Sequence, residues 1–267
     1  MARWNPSAGR ITLFSAPTSR VPSALNLFQT VWRADPDGFQ KQNNPLVPTI
    51  AQGRRGNLVF ACIVQPGRID LSLTPPPSPA GTPDESYPVI EDDRELHNEM
   101  LRIAEVVARE QVAENVSRVA VSKNFLNLTE NFVEANKELL TIMPAEYRPK
   151  LKDEEDFLFQ VNRPYSSGRV PNVTINVLIR WSVDRLGIIS IALPMRSPNT
   201  VMAAPVSATP ETKTFIGASV SFDLNNVPTE RLLAPHEQAA IVDEALASIT
   251  LVQPGVEVSN GVHNVRQ

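Results

Sequence analysis

Short β-rich runs alternate with stretches of helical period along the chain. ITLF at 11–14 predicts a strand, and TSRVPSALNLFQTVW then predicts a helix. Ser19 or Ser23 can cap that helix, and Leu25, Leu27, Phe28, Val31 and Trp32 fall mostly on one face. ADPDGFQKQNNPLVP reads as a loop from its Pro, Asp, Gly and Asn content. TIAQGRR, NLVFACIV and RIDLSLT follow as three strands of a meander, split by the turns RGN and QPG. The six prolines of PPPSPAGTPDESYP suit neither a helix nor a sheet interior, so residues 75–90 read as an exposed connection. EDDRELHNEMLRIAEVVAREQVAEN then lines up Leu96, Met100, Ile103, Ala104, Val107 and Gln111. Its acids gather in the first turn, where the helix dipole favours them.

The second half repeats this order. SRVAVSKNFLNL predicts a strand, TENFVEANKELLTI a helix capped by Thr129, and DFLFQVNRP, VTINVLIRWSV and TFIGASVSFDL further strands. IISIALP reads as one more, and APHEQAAIVDEALASITLV as a closing helix. The predicted class is α+β: two related β-α-βββ-α halves, residues 1–115 and 116–267, the second ending in a flexible tail. Hairpin-length turns call for antiparallel sheets backed by helices, and two such sheets can join edge to edge into one continuous curved sheet. In order of elements this resembles the saddle of the TATA-binding protein fold.

Composition narrows the chemistry. With 267 residues, 42% of them hydrophobic, the chain can bury a substantial core. A single cysteine, Cys62, excludes an internal disulfide framework, and its apolar neighbours in LVFACIV predict a buried, inert thiol. His97, His236 and His263 are scattered, so neither a metal site nor a cofactor is expected. No apolar run spans a membrane, and the chain reads as soluble and cytoplasmic. The net charge of -4 conceals an uneven distribution. Residues 1–75 carry eight bases against three acids, residues 76–160 nine against eighteen, and the remainder eight against eight. A basic front and an acidic middle suit docking to a partner or self-association.

Several motifs, SRVAVSKNFLNL, DEEDFLFQVNRP, ASVSFDLN and HEQAAIVDEALASIT, resemble in that order a sporadically distributed family of uncharacterised bacterial proteins, over roughly residues 95–252. The resemblance singles out Asn127 or Asn124, Asp223, and the His236–Glu237 pair. It implies no activity; the family's patchy occurrence implies a defence or toxin-associated locus.

Among candidate sites, QGRRGN at 52–57 lacks the Lys and Ser or Thr of a phosphate loop and runs into a strand, so it reads as a hairpin. Arg54 and Arg55 at its tip, with Arg68, are the expected partner-binding residues. The acids of LKDEEDF lack the spacing of an EF-hand, and HE at 236–237 has Ala240 where a zinc protease needs its second histidine. No catalytic residue is assigned. The leading expectation is therefore a non-catalytic scaffold or partner-binding subunit that self-associates or docks to another protein. Two alternatives are a nucleic-acid-binding sheet face using the front arginines, and an enzyme with its site between the halves.

Overall fold

The computed structural model describes residues 3–249 except 18, 21, 42–43, 45–46, 78–85, 149–156 and 191–210. Its strands are β1 (Asn5–Ser15), β2 (Gly38–Gln40), β3 (Thr49–Arg55), β4 (Leu58–Gln65), β5 (Arg68–Thr74), β6 (Val116–Thr129), β7 (Leu158–Asn162), β8 (Tyr165–Ser166), β9 (Thr174–Ser190) and β10 (Glu211–Asn226). The helices are α1 (Ala24–Trp32), α2 (Asp93–Glu110), α3 (Phe132–Ile142) and α4 (Pro235–Ser248). All pairings are antiparallel, and the strands form one open sheet in the order β2-β3-β4-β5-β1-β6-β10-β9-β7, with β8 also beside β9. The α+β class and the antiparallel sheet backed by helices thus hold.

On either side of the central β1–β6 pair the elements come in the same order. Each half has four strands between its helices rather than the three expected. The additions are β2, a three-residue edge strand inside the stretch read as a loop, and β8, a two-residue pairing too short to leave a periodic signal. IISIALP supplies no strand of its own. Its first residues extend β9, and 191–194 lie outside the described residues.

Side-chain direction decides which face the helices cover. A Cβ added at Gly9 would lie 2.8 Å from both Leu96 and Met100 of α2, and one at Gly53 would lie 2.9 Å from Phe28 of α1. A side chain at either position would have to push these side-chain tips aside. Because paired residues share a face and successive residues alternate, the whole helix-covered face follows from the register. It carries Ile11 and Leu13 of β1, Leu71 and Leu73 of β5, Phe60 and Cys62 of β4, Val119 and Val121 of β6, and Val220 and Leu224 of β10, all buried. Each such side chain contributes roughly 1.5–3 kcal/mol relative to exposure. On the same face Tyr147 stacks near Phe159 and Trp181, and Arg185 lies 5.4 Å from the Phe132 ring of α3.

The stripe of α2 is buried as expected, except at Gln111. That residue adopts φ 47° and is exposed, ending the helix rather than extending its apolar face. Asn131, not Thr129, caps α3: Thr129 still belongs to β6, and the Asn131 side chain accepts the Glu134 N–H at 2.9 Å. The connection before α2 is not exposed throughout. Ile90 is fully buried and donates its N–H to the Pro6 carbonyl at 2.7 Å, and Tyr87 packs edge-on against Phe215. Its centre, and the C-terminal tail, lie outside the described residues. No described helix is long and apolar enough to cross a membrane.

Candidate functional site: the open face of the sheet

No described helix covers the other face, and its chemistry differs from that of the helix layer. The four helices carry ten carboxylates and four basic side chains. Among the strand residues of the open face whose side chains are described, six are bases (Arg10, Arg54, Arg68, Arg118, Arg180 and Lys213) and three are acids (Asp70, Asp184 and Asp223). A charge asymmetry along the sequence has become an asymmetry between two faces.

The densest cluster lies where β5, β1 and β6 run side by side. Phe14 pairs with Arg68 on one side and with Arg118 on the other, and both guanidinium carbons approach its ring, at 5.5 and 4.9 Å. Two residues back along β1, Thr12 donates to Asp70 at 2.6 Å, and Arg68 grips the same carboxylate through Nε and Nη2 at 2.8 and 2.9 Å. Arg10 Nε stands 3.8 Å from Asp70. Asp70 is only 6% exposed, so this bidentate contact keeps a nearly buried charge paired. Arg118 has no carboxylate partner among the described residues, and its buried Nε finds no acceptor. The cluster therefore holds a cation, resting against the Phe14 ring, that no described carboxylate neutralises.

The second half of the face is quieter. Ser182 and Ser219 both donate to Asp184, at 2.8 and 2.6 Å, and Asn225 donates to Asp223 at 2.8 Å. Serines that give their protons to a carboxylate on an open sheet have neither the histidine nor the enclosed pocket of a hydrolase. The described histidines, His97 and His236, belong to the helix layer.

The three arginines singled out in the sequence are not one patch. Arg54 and Arg55 sit at the tip of the β3–β4 hairpin, as expected for QGRRGN, with Gly56 at φ 59° making the turn. The Arg54 N–H donates to Asp37 and its Nε to the Gly56 carbonyl. Register places the Arg54 row level with Thr74, six residues from Arg68, or about 20 Å by strand rise. Arg68 belongs to the cluster but is held by Asp70. Arg10 and Arg118 are the positions that the sequence reading passed over; their signal is the polar phase of Arg10–Thr12–Phe14 on β1 and the bulky basic residue opposite Phe14 on β6.

Asn124 and Asp223 lie on the open face of adjacent strands, whereas Asn127 faces the helices and His236 opens α4. Glu237 is occupied locally. It accepts from Arg231 at 2.7 Å and from the Ala234 N–H at 2.9 Å, and the Arg231 hydrogen bond is the main reason its carboxyl titrates below the usual range. Cys62 is fully buried; desolvation, with Asp70 adding, pushes its thiol up to about 12. LKDEEDF falls almost wholly outside the described residues, and among the described ones no cluster of three His, Cys, Asp or Glu could hold a metal ion.

Lys123 is the other residue that the sequence reading missed. It points into the helix side, only 2% exposed, its Nζ 2.5 Å from Asp93 at the start of α2 and 5.1 Å from the Phe125 ring. Comparison with protein-family models, curated proteins and solved structures finds no match for this chain.

Proposed function

We propose that the protein is a non-catalytic binding subunit whose open sheet face docks an acidic surface of a partner protein. The observation that carries this reading is the segregation of charge. A basic cluster with an unpaired guanidinium, Arg118, stands on the uncovered face, while the carboxylates collect in the helix layer. Nucleic acid fits the same face less well. Asp70, Asp184 and Asp223 interrupt the basic positions and would repel a continuous phosphate backbone, whereas a protein surface can offset them with its own donors. A second copy is one source of such a surface, since its helix layer has the complementary sign.

Descent of the two halves from one duplicated unit is supported by their matching element order about the β1–β6 pair. A bacterial, cytoplasmic setting in a defence or toxin-associated locus is supported by the sequence resemblance alone.

Fluorescence anisotropy with a labelled Glu/Ser-rich peptide and a single-stranded oligonucleotide of equal charge, over a salt series, tests the reading. The expected result is peptide binding that weakens as salt rises and exceeds oligonucleotide binding at every salt concentration. Tighter oligonucleotide binding would reassign the face to nucleic acid, and no peptide binding at low salt would overturn the proposal.

A further inference from the structure

The register of the sheet relates its halves by a two-fold rotation. Turning the sheet about the Ile11–Val121 pair of β1 and β6 places Thr12 on Ser122. Their outer neighbours are Asp70 of β5 and Asp223 of β10, so these two carboxylates occupy equivalent positions on the open face. The relation continues outward: Ile63 beside Asp70 falls on Leu178 beside Asp223, and Ile50 beyond it falls on Asn162.

What surrounds the two carboxylates differs. Arg68, two residues before Asp70 on β5, grips it through Nε and Nη2, and Arg10 Nε stands 3.8 Å away. The rotation puts Ser221 where Arg68 is and Ala120 where Arg10 is. The positions that neutralise Asp70 thus offer Asp223 no cation, and Asp223 makes no ion pair among the described residues. Arg180, opposite Ser221 on β9, is exposed and makes none either. Asp223 is nevertheless held in place. Asn225, only 7% exposed, donates Nδ2 to its Oδ1 at 2.8 Å, and Asn176 donates in turn to Asn225 at 3.4 Å. Oδ2 accepts no bond among the described residues and is not sealed from solvent.

We infer that Asp223 receives an arginine side chain of the docked partner protein; this rests on the open face being the docking face. The Arg68–Asp70 contact is the template. A guanidinium lying over Ser221 and Ala120 can make the same two-pronged contact, which a lysine ammonium cannot. Asp223 Oδ1 can accept from it as well as from Asn225, just as Asp70 Oδ1 accepts from both Thr12 and Arg68. Arg10, Ser122 and Asp223 lie on one row of the sheet, so Asp223 is two strands, or about 10 Å, from Arg10. The partner surface therefore carries an arginine at about that distance from the acid that meets the Arg10–Arg118 cluster.

The test is fluorescence anisotropy of the full chain with two labelled peptides: the Glu/Ser-rich peptide extended through a Gly/Ser spacer by one arginine, and the same peptide with citrulline in its place. The arginine peptide should bind about fivefold tighter, the size of a partly exposed ion pair. Asp223→Asn should abolish that advantage without weakening the citrulline peptide. Ser221→Arg, which repeats the Arg68–Asp70 spacing within the chain, should abolish it too, and should raise the melting temperature only while Asp223 is present. Arg180→Gln should leave the advantage intact. Equal affinities of the two peptides, or an advantage that survives Asp223→Asn, would overturn this inference and leave the open-face reading standing. Binding of neither peptide would sink that reading; the melting temperatures then decide the Asp223 site by themselves, and no gain from Ser221→Arg overturns it.

Discussion

Leu71 and Ser72 are neighbours on β5, yet Leu71 is fully buried beneath the helices while Ser72 stands on the uncovered face and only brushes the Ala61 carbonyl. The same contrast repeats across the sheet. One face is filled mainly by aliphatic and aromatic side chains and holds the helices; the other mixes Arg, Asp, Ser, Thr and Asn side chains, several bonded to one another, with apolar residues such as Ile50, Ile63, Leu178 and Phe215. Most of the buried apolar core lies on the helix-covered face, although Thr12, Asp70, Leu126 and Ser182 of the other face are buried as well. The largest expected effect follows directly. Leu71→Ala should destabilise by about 3 kcal/mol, whereas Ser72→Ala should change stability by less than about 0.5 kcal/mol, both read from urea unfolding. Similar costs at the two positions would erase the distinction between the faces.

One open-face contact departs from this rule. Arg68 keeps the nearly buried Asp70 paired, so Arg68→Ala should cost about 1–3 kcal/mol. In the background of Asp70→Asn the same substitution should cost much less, because the charge that needs the guanidinium is gone. An equal cost in both backgrounds would show that Arg68 acts through packing over Phe14 instead.

The buried face also has a pH signature. The Cys62 thiol keeps its proton in the folded state up to about 12, against 9.0 for an ordinary thiol, so above pH 9 the unfolded chain sheds a proton that the folded chain retains. Stability contributed by the neutral thiol is complete below that pH and declines above it, by on the order of 1 kcal/mol at pH 10. Cys62→Ala should remove this part of the alkaline decline. Native protein should also resist thiol reagents that label the unfolded chain. Rapid labelling of native Cys62 would contradict its burial.

Much of the fold is legible in the sequence because strands and helices here announce themselves by period. The β3–β5 meander ends where Gly56 and Gly67 permit positive φ, and α2 buries the stripe that its spacing defines. What escaped has physical reasons. β2 and β8 are edge pairings of three and two residues, too short for any period, and their strand character comes from the neighbour they meet. Thr129 and Asn131 are both good caps by type, and the choice between them depends on where β6 stops. The open-face cluster was harder still. Arg10, Arg68 and Arg118 are far apart in sequence and meet only because β1 lies between β5 and β6, a pairing order that no local pattern reveals. Arg54 and Arg55, adjacent and conspicuous beside two glycines, drew the eye to a hairpin tip instead.

Charge reversal on each face in turn tests the central claim most directly. Arg10→Glu with Arg118→Glu reverses the open cluster and leaves the Arg68–Asp70 contact in place; Arg94→Glu with Arg109→Glu makes the same change in net charge on α2. Binding of the Glu/Ser-rich peptide, measured by anisotropy beside the melting temperature of each variant, should be lost in the first pair and kept in the second, with both variants folded. Equal loss in the two would mean that only net charge matters, and retention in the open-face variant would contradict the assignment of that face.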